Sequence, residues 1–320
     1  MFFLQLIIFL VSLLVLIKSA DFFVAGSSSI AKHFNVSQMV IGLTLVSMGT
    51  SLPELVINII SSFSKHNEIV LGNIIGSNIT NILLILGISG LVNPIVVKKN
   101  TTYKEIPFSF FAAFILFIFL NDKFINGSNF SNSLSKSEGI VLLIFFVCFL
   151  YYVIKIAKVE PVVEENIKVF SFEKSLVFIV LGMVFLFISA KFLVSSAIFI
   201  ARFLRISEAF ISLTVVAIGT SLPELVTSAV ASYKKNSDIA IGNIIGSNIF
   251  NNLFILGISS VINNVEYKTF FNFDLSVLLY STFLLFGLMF LGKKHSLGKK
   301  GSFFMLISYI VYLYLITLRK

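Results

Sequence analysis

Gly49-Thr-Ser-Leu-Pro-Glu-Leu55 returns unchanged as Gly219-Thr-Ser-Leu-Pro-Glu-Leu225, each copy inside a long apolar stretch. Proline within a helix removes a backbone hydrogen bond and crowds the carbonyl four residues back, here that of Gly49 or Gly219. The glycine weakens the helix further. Spans carrying Pro53 and Pro223 should therefore break near their middles. Backbone opened at membrane depth persists only where protein, water or ions satisfy it. A carboxylate beside such a break costs roughly 2.5–3.5 kcal/mol at the bilayer centre. Glu54 and Glu224 need a partner there, and no Lys or Arg stands at matching depth.

The bilayer itself is read from composition. Of 320 residues, 57% are hydrophobic and 12% charged, with 37 Phe and no Trp, and mean hydropathy is +1.01. Soluble domains are far less apolar. Ten windows of about membrane-spanning length fit along the chain, at 2–24, 37–62, 68–92, 105–121, 137–156, 172–200, 206–232, 238–262, 272–292 and 302–318. They leave no room for a soluble domain, so the expectation is an all-α, multi-pass protein of the plasma (inner) membrane. The first window has no Lys or Arg before Lys18 and no convincing small-x-small cleavage site, and reads as a span, not a removed signal.

Cys148 is the only cysteine and reads as core filler, which excludes a disulfide within the chain. His33, His66 and His295 fall in predicted connections and build no metal site. The net charge of +9 is scattered through short connections, which argues against nucleic acid as a partner. With the N-terminus outside, fourteen basic residues fall in inner connections and eight on the outer side, favouring N-terminus and C-terminus outside.

A shift of 170 residues aligns Ala20 with Ala190, Glu54 with Glu224, Ser77 with Ser247 and Asn81 with Asn251 without a gap; 26 of the 41 positions in 49–89 match 219–259. This is an internal duplication. Each half holds five windows, and an odd number sends the second half into the membrane from the opposite side. The chain divides into a first repeat at 1–156, a cytoplasmic linker at 157–171 containing Glu160, Pro161, Glu164 and Glu165, and a second repeat at 172–320. Inverted repeats with breaks at matching places point to a secondary transporter with its site near the midplane.

The duplicated motifs supply oxygen. Thr50 and Glu54 are four residues apart and share a helical face, with Ser51 at the break; Thr220, Ser221 and Glu224 repeat the set. Gly72-Asn-Ile-Ile-Gly-Ser-Asn-Ile79 returns as Gly242-Asn-Ile-Ile-Gly-Ser-Asn-Ile249, with glycines spaced for close helix packing. Ser77 and Asn81 share a face, as do Ser247 and Asn251. Asn73, Asn78, Asn243 and Asn248 either support the ligands or bond between helices; the latter is the expectation. Two carboxylates without a basic partner are balanced by one divalent cation, and oxygen suits a hard one such as Ca2+. Several Na+ competing for the same acids would make occupancy exclusive, as antiport requires.

These paired motifs resemble the two α-repeats of the calcium/cation antiporter superfamily, and most closely its prokaryotic sodium/calcium exchangers. The resemblance covers nearly the whole chain. It implies ten transmembrane helices in two inverted five-helix repeats, with helices 2, 3, 7 and 8 broken around a central cation site. It implies as ligands Thr50, Ser51, Glu54, Ser77, Asn81, Thr220, Ser221, Glu224, Ser247 and Asn251, with the Ser47 and Ala217 carbonyls as contributors. It implies no cofactor, Ca2+ and Na+ as substrates, the lipid bilayer as surroundings and no obligate protein partner. Some relatives, including potassium-dependent exchangers, carry aspartate where Asn251 stands; an amide does not titrate, which weakens any case for K+ co-transport.

The runner-up within transport is H+-coupled exchange of Ca2+ or another divalent cation, because a desolvated glutamate can trade a cation for a proton. A channel filter lacks a subunit ring here, and an enzyme lacks a nucleophile, a His dyad or a cofactor loop.

Overall fold

The computed structural model describes residues 2–121, 132–159, 168–204, 217–291 and 293–318. Eleven helices carry the described chain: α1 Phe2–His33, α2 Gln38–Thr50, α3 Leu52–Phe63, α4 Asn67–Val92, α5 Thr101–Leu120, α6 Lys136–Val159, α7 Phe172–Phe203, α8 Leu222–Tyr233, α9 Ser237–Ile262, α10 Thr269–Leu288 and α11 Lys299–Leu318. Among the described residues, eight are long and apolar enough to cross a membrane, or nine if the bent pair α2–α3 is one span. The predicted window at 206–232 is described only from residue 217, where a short turn Ala217–Gly219 precedes α8; 206–216 lies outside the described residues. So does most of the predicted linker, 160–167, while α6 runs past the expected boundary to Val159.

Proline sets the breaks. α2 ends at Thr50, Ser51 stands between helices, and α3 leaves at 49° with Pro53 in its first turn. Proline is harmless there, because a first-turn N–H has no helical acceptor anyway. Ser221 and Pro223 repeat this entry into α8. Helices 3 and 8 do not break as expected. The helices in those windows, α4 and α9, are continuous, and each loosens into a π segment at matching positions, Thr80–Leu86 and Phe250–Ile255. Without proline, wider turns absorb the distortion that would otherwise cut the helix.

α9 and α4 form the centre. In their most apolar stretches 94% and 72% of residues are buried, against 17% for α1, which lies at the periphery. α4 and α9 cross antiparallel, since Asn81 meets Asn248 while Asn78 meets Asn251. α1 and α7 also run antiparallel along their length. Phe2 stacks on Phe203 at 4.5 Å, and Ser175 donates to Ser29 at 2.8 Å. A Cβ on Gly182 would sit 2.8 Å from the Phe23 backbone nitrogen, so glycine permits this approach. At 32 residues each, these helices are about 48 Å long by helical rise, against about 30 Å of hydrocarbon, and must tilt or protrude.

Two short ladders stitch the halves together. β1 (Ile95–Val96) pairs antiparallel with β4 (Ser296–Leu297), and β2 (Ser133–Leu134) with β3 (Val265–Glu266). The exit of α4 is thereby tied to the entry of α11, and the exit of α9 to the entry of α6. One sequence expectation fails on packing. Cys148 is exposed on α6 and is not core filler. Gly242 and Gly246 meet α2 closely, as their spacing predicts; for Gly72 and Gly76 the matching partners, 212 and 213, lie outside the described residues.

Candidate functional site

Glu54 and Glu224 enter the protein centre from the first turns of α3 and α8, and each is 1% exposed. Their charges are near enough to interact. Among the described residues neither pairs with a basic side chain; the ion pair from α8's end, Lys234 to Asp21 at 2.6 Å, lies elsewhere.

The hydroxyls cross between halves. Ser51 Oγ donates to Glu224 Oε1 at 2.9 Å, and Thr50 Oγ1 turns to Asn243 of the second half. Thr50 therefore does not serve Glu54, its neighbour one helical turn away, because the break at Ser51 turns the two onto different partners. Ser77 Oγ donates to Glu54 Oε1 at 3.4 Å. Its mate Ser247 instead donates to the Ser47 carbonyl at 3.3 Å, and Ser221, the mate of Ser51, has no hydrogen-bond partner among the described residues, so the two halves are not bonded alike. The Ser47 carbonyl also accepts from Thr50 Oγ1 and the Ser51 amide.

Amide orientation is set by a symmetric network. Asn81 Nδ2 donates to Asn248 Oδ1 at 3.0 Å, and Asn251 Nδ2 donates to Asn78 Oδ1 at 2.9 Å. Asn248 is fixed by donating to the Asn78 carbonyl, and Asn78 by donating to Asn252. Each candidate ligand amide thus spends its nitrogen across the α4–α9 crossing and keeps its oxygen. Among the described residues, Glu54 Oε2, Glu224 Oε2, Asn81 Oδ1, Asn251 Oδ1 and Ser221 Oγ are buried without a hydrogen-bond partner. Buried polar atoms are ordinarily paired. Two carboxylate oxygens of this kind, with neutral oxygens on the same helix starts and on the α4–α9 crossing, suit a hard cation and disfavour an anion.

Behind them, Asn73 donates to the Glu54 carbonyl and to Asn58, while Asn243 donates to the Glu224 carbonyl and to Ser228. Thr50 donates to Asn243 Oδ1 at 3.0 Å. The expected interhelical role of these asparagines holds, and they also brace the acids. Asn58 and Ser228 were not predicted; each lies four residues after its glutamate, on the same helical face. Replacing Asn78 with Ala is expected to lower the unfolding midpoint in detergent. It strands Asn251 Nδ2 and Asn252 Oδ1, at roughly 1–3 kcal/mol for each buried orphan.

The profile of the family described as sodium/calcium exchanger protein matches residues 4–155 and 174–318. The chain belongs to the sodium/calcium exchanger family. It is 37% identical to the putative antiporter CaxA of Alkalimonas amylolytica, covering 96% of this chain and 97% of that one. It is 32% identical to the sodium/calcium exchanger MaX1 of Methanosarcina acetivorans, covering 88% and 90%. A solved structure of the sodium-calcium exchanger NCX_Mj, soaked with Na+ and Sr2+, superposes with a TM-score of 0.82 at 34% identity, with all of both chains covered. This exchanger-family chain is an integral multi-pass membrane transporter and not an enzyme.

Proposed function

We propose that this exchanger moves Ca2+ against Na+ by alternating access, with one Ca2+ or several Na+ competing for Glu54 and Glu224. The observation that carries the reading is the pair of buried carboxylates, one from each half, whose Oε2 atoms are unpartnered, as are the oxygens of Asn81, Asn251 and Ser221. Thr50, Ser51, Ser77, Thr220 and Ser247 complete the ligand shell. Ca2+ needs six to eight oxygens, which this shell and its backbone carbonyls can supply. Na+ and Ca2+ in the names of the similar proteins support the same cargo.

The architecture we propose is ten transmembrane helices in two inverted five-helix repeats, 1–156 and 172–320, joined by a cytoplasmic linker at 157–171. The antiparallel crossings of α4 with α9 and α1 with α7 support it, since each helix meets its own mate of the 170-residue shift running the opposite way. The distribution of basic residues supports both termini outside the plasma (inner) membrane.

In proteoliposomes loaded with Na+, Ca2+ uptake is expected to rise severalfold when external Na+ is replaced by choline, and to collapse when the Na+ gradient is removed. Uptake indifferent to Na+ but driven by a pH gradient would transfer the reading to H+-coupled exchange.

A further inference from the structure

A crevice of about 440 Å3 lies between α7 and the two helix breaks, and Pro53, Pro223, Gly219, Thr220, Phe187 and Lys191 line it. Pro53 and Pro223 directly precede Glu54 and Glu224 in the first turns of α3 and α8. The crevice therefore abuts both acid-bearing helix starts. Its walls are otherwise nearly all apolar, so they screen charge poorly and concentrate the field of any ion inside. Lys191 is the one charged side chain on those walls, and among the described residues no acid pairs with it. A fixed ammonium beside a cation path is opposite to what binding alone would favour.

The duplication sharpens the contrast. The mate of Lys191 is Asp21 on α1. Asp21 is engaged by Lys234 at 2.6 Å, so the equivalent position in the other half carries a neutralised acid and the crevice carries an unneutralised base. Lys191 lies on the part of α7 that leads to Phe203, which stacks on Phe2 beside the N-terminus. With the N-terminus outside, this is the outer half of the membrane.

We propose that Lys191 is a specificity-determining residue of the outer ion path, disfavouring Ca2+ relative to Na+ by valence. Coulomb energy is proportional to ion charge. Whatever factor Lys191 imposes on outer-face occupancy by a monovalent ion, it imposes the square of that factor on a divalent one. The outer face thus releases Ca2+ and resists its return more strongly than it resists Na+ entry. This inference rests on the site proposed above as a Ca2+ site.

The test is isotopic Ca2+/Ca2+ exchange in phosphatidylcholine proteoliposomes at low ionic strength, which needs no coupling ion. External Ca2+ is titrated, with external Na+ as competitor, for the parent and for Lys191→Gln, Lys191→Glu and Lys191→Arg. Lys191→Gln should lower the external half-saturating Ca2+ roughly tenfold and the external inhibitory Na+ only roughly threefold, with the internal Ca2+ value unchanged. Lys191→Glu should extend both shifts in the same two-to-one logarithmic ratio, and Lys191→Arg should keep the parent's Ca2+/Na+ ratio. Asp21→Asn should leave that ratio unchanged. Equal shifts for the two ions, shifts at both faces, or none would overturn the role of Lys191 while leaving the exchanger reading intact. Absence of Ca2+ exchange in the parent itself would overturn the reading beneath it.

Discussion

Glu54→Gln and Glu224→Gln are each expected to reduce Ca2+ flux to background while the protein still inserts and purifies. Both changes preserve shape and remove one charge. In the parent, two carboxylates offset the two charges of Ca2+; in either variant a net single positive charge is stranded in a buried site. Breaking a buried charge pair in this way costs about 3–5 kcal/mol, which at about 1.4 kcal/mol per decade is a loss of 10²-fold to 10³-fold or more in occupancy. The amide adds a second injury. Its NH2 stands where the unpartnered Oε2 stood, putting a donor where the proposed site needs an acceptor. Misfolding is excluded by the same experiment in ion-free detergent. A neutral amide no longer carries the burial penalty of a carboxylate, so both variants should unfold at or above the parent's temperature while losing the extra stability that Ca2+ confers by binding the native state. Ser51→Ala, which removes only the hydroxyl on Glu224 Oε1, should cost roughly tenfold. Retained isotope uptake in either glutamine variant would remove that residue from the site.

The spans, the breaks and the two acids were legible because each has a local cause. Proline four residues after glycine interrupts a helix wherever it falls, and a carboxylate in an apolar run is conspicuous at any depth. What escaped was everything decided by contact between distant helices. Thr50 shares a predicted face with Glu54, yet a bend of 49° at Ser51 hands its hydroxyl to Asn243 of the other half. The different uses of Asn78 and Asn81 were expected, but not their partners: the α4–α9 crossing makes Asn78 the acceptor of Asn251 and leaves the Asn81 oxygen free. Cys148 was assigned to the core because α6 is apolar on every side, so no stripe marks which side meets protein. The expected breaks in helices 3 and 8 were drawn from family likeness without a local cause, and those helices stay continuous.

The glycines of the second motif give the other large effect, and its sign depends on the half. Gly76 and Gly246 are mates in identical sequence, Gly-Asn-Ile-Ile-Gly-Ser-Asn-Ile. A Cβ on Gly246 would sit 2.5 Å from Ser47 Oγ and 2.8 Å from the Leu43 carbonyl, and backbone cannot rotate away as a side chain can. α9 would have to retreat from α2. That retreat separates Ser247 from the Ser47 carbonyl and Asn243 from Thr50, so the brace behind Glu224 is lost together with the packing. Among the described residues, which do not include 212–216, a Cβ on Gly76 meets nothing within 4 Å. Gly246→Ala is therefore expected to destabilise by about 1–3 kcal/mol, the usual cost of overpacking, and to reduce Ca2+ uptake at least tenfold because the displacement reaches the ligands. Gly76→Ala should match or exceed the parent's stability, since alanine in a helix is favoured over glycine by about 1 kcal/mol. Unfolding midpoints in detergent and isotope uptake on the two single variants decide it. The identical residue change in identical local sequence separates what the helix prefers from what the opposing helix permits, and equal damage at both positions would mean that the α2–α9 approach is not what holds Glu224 in place.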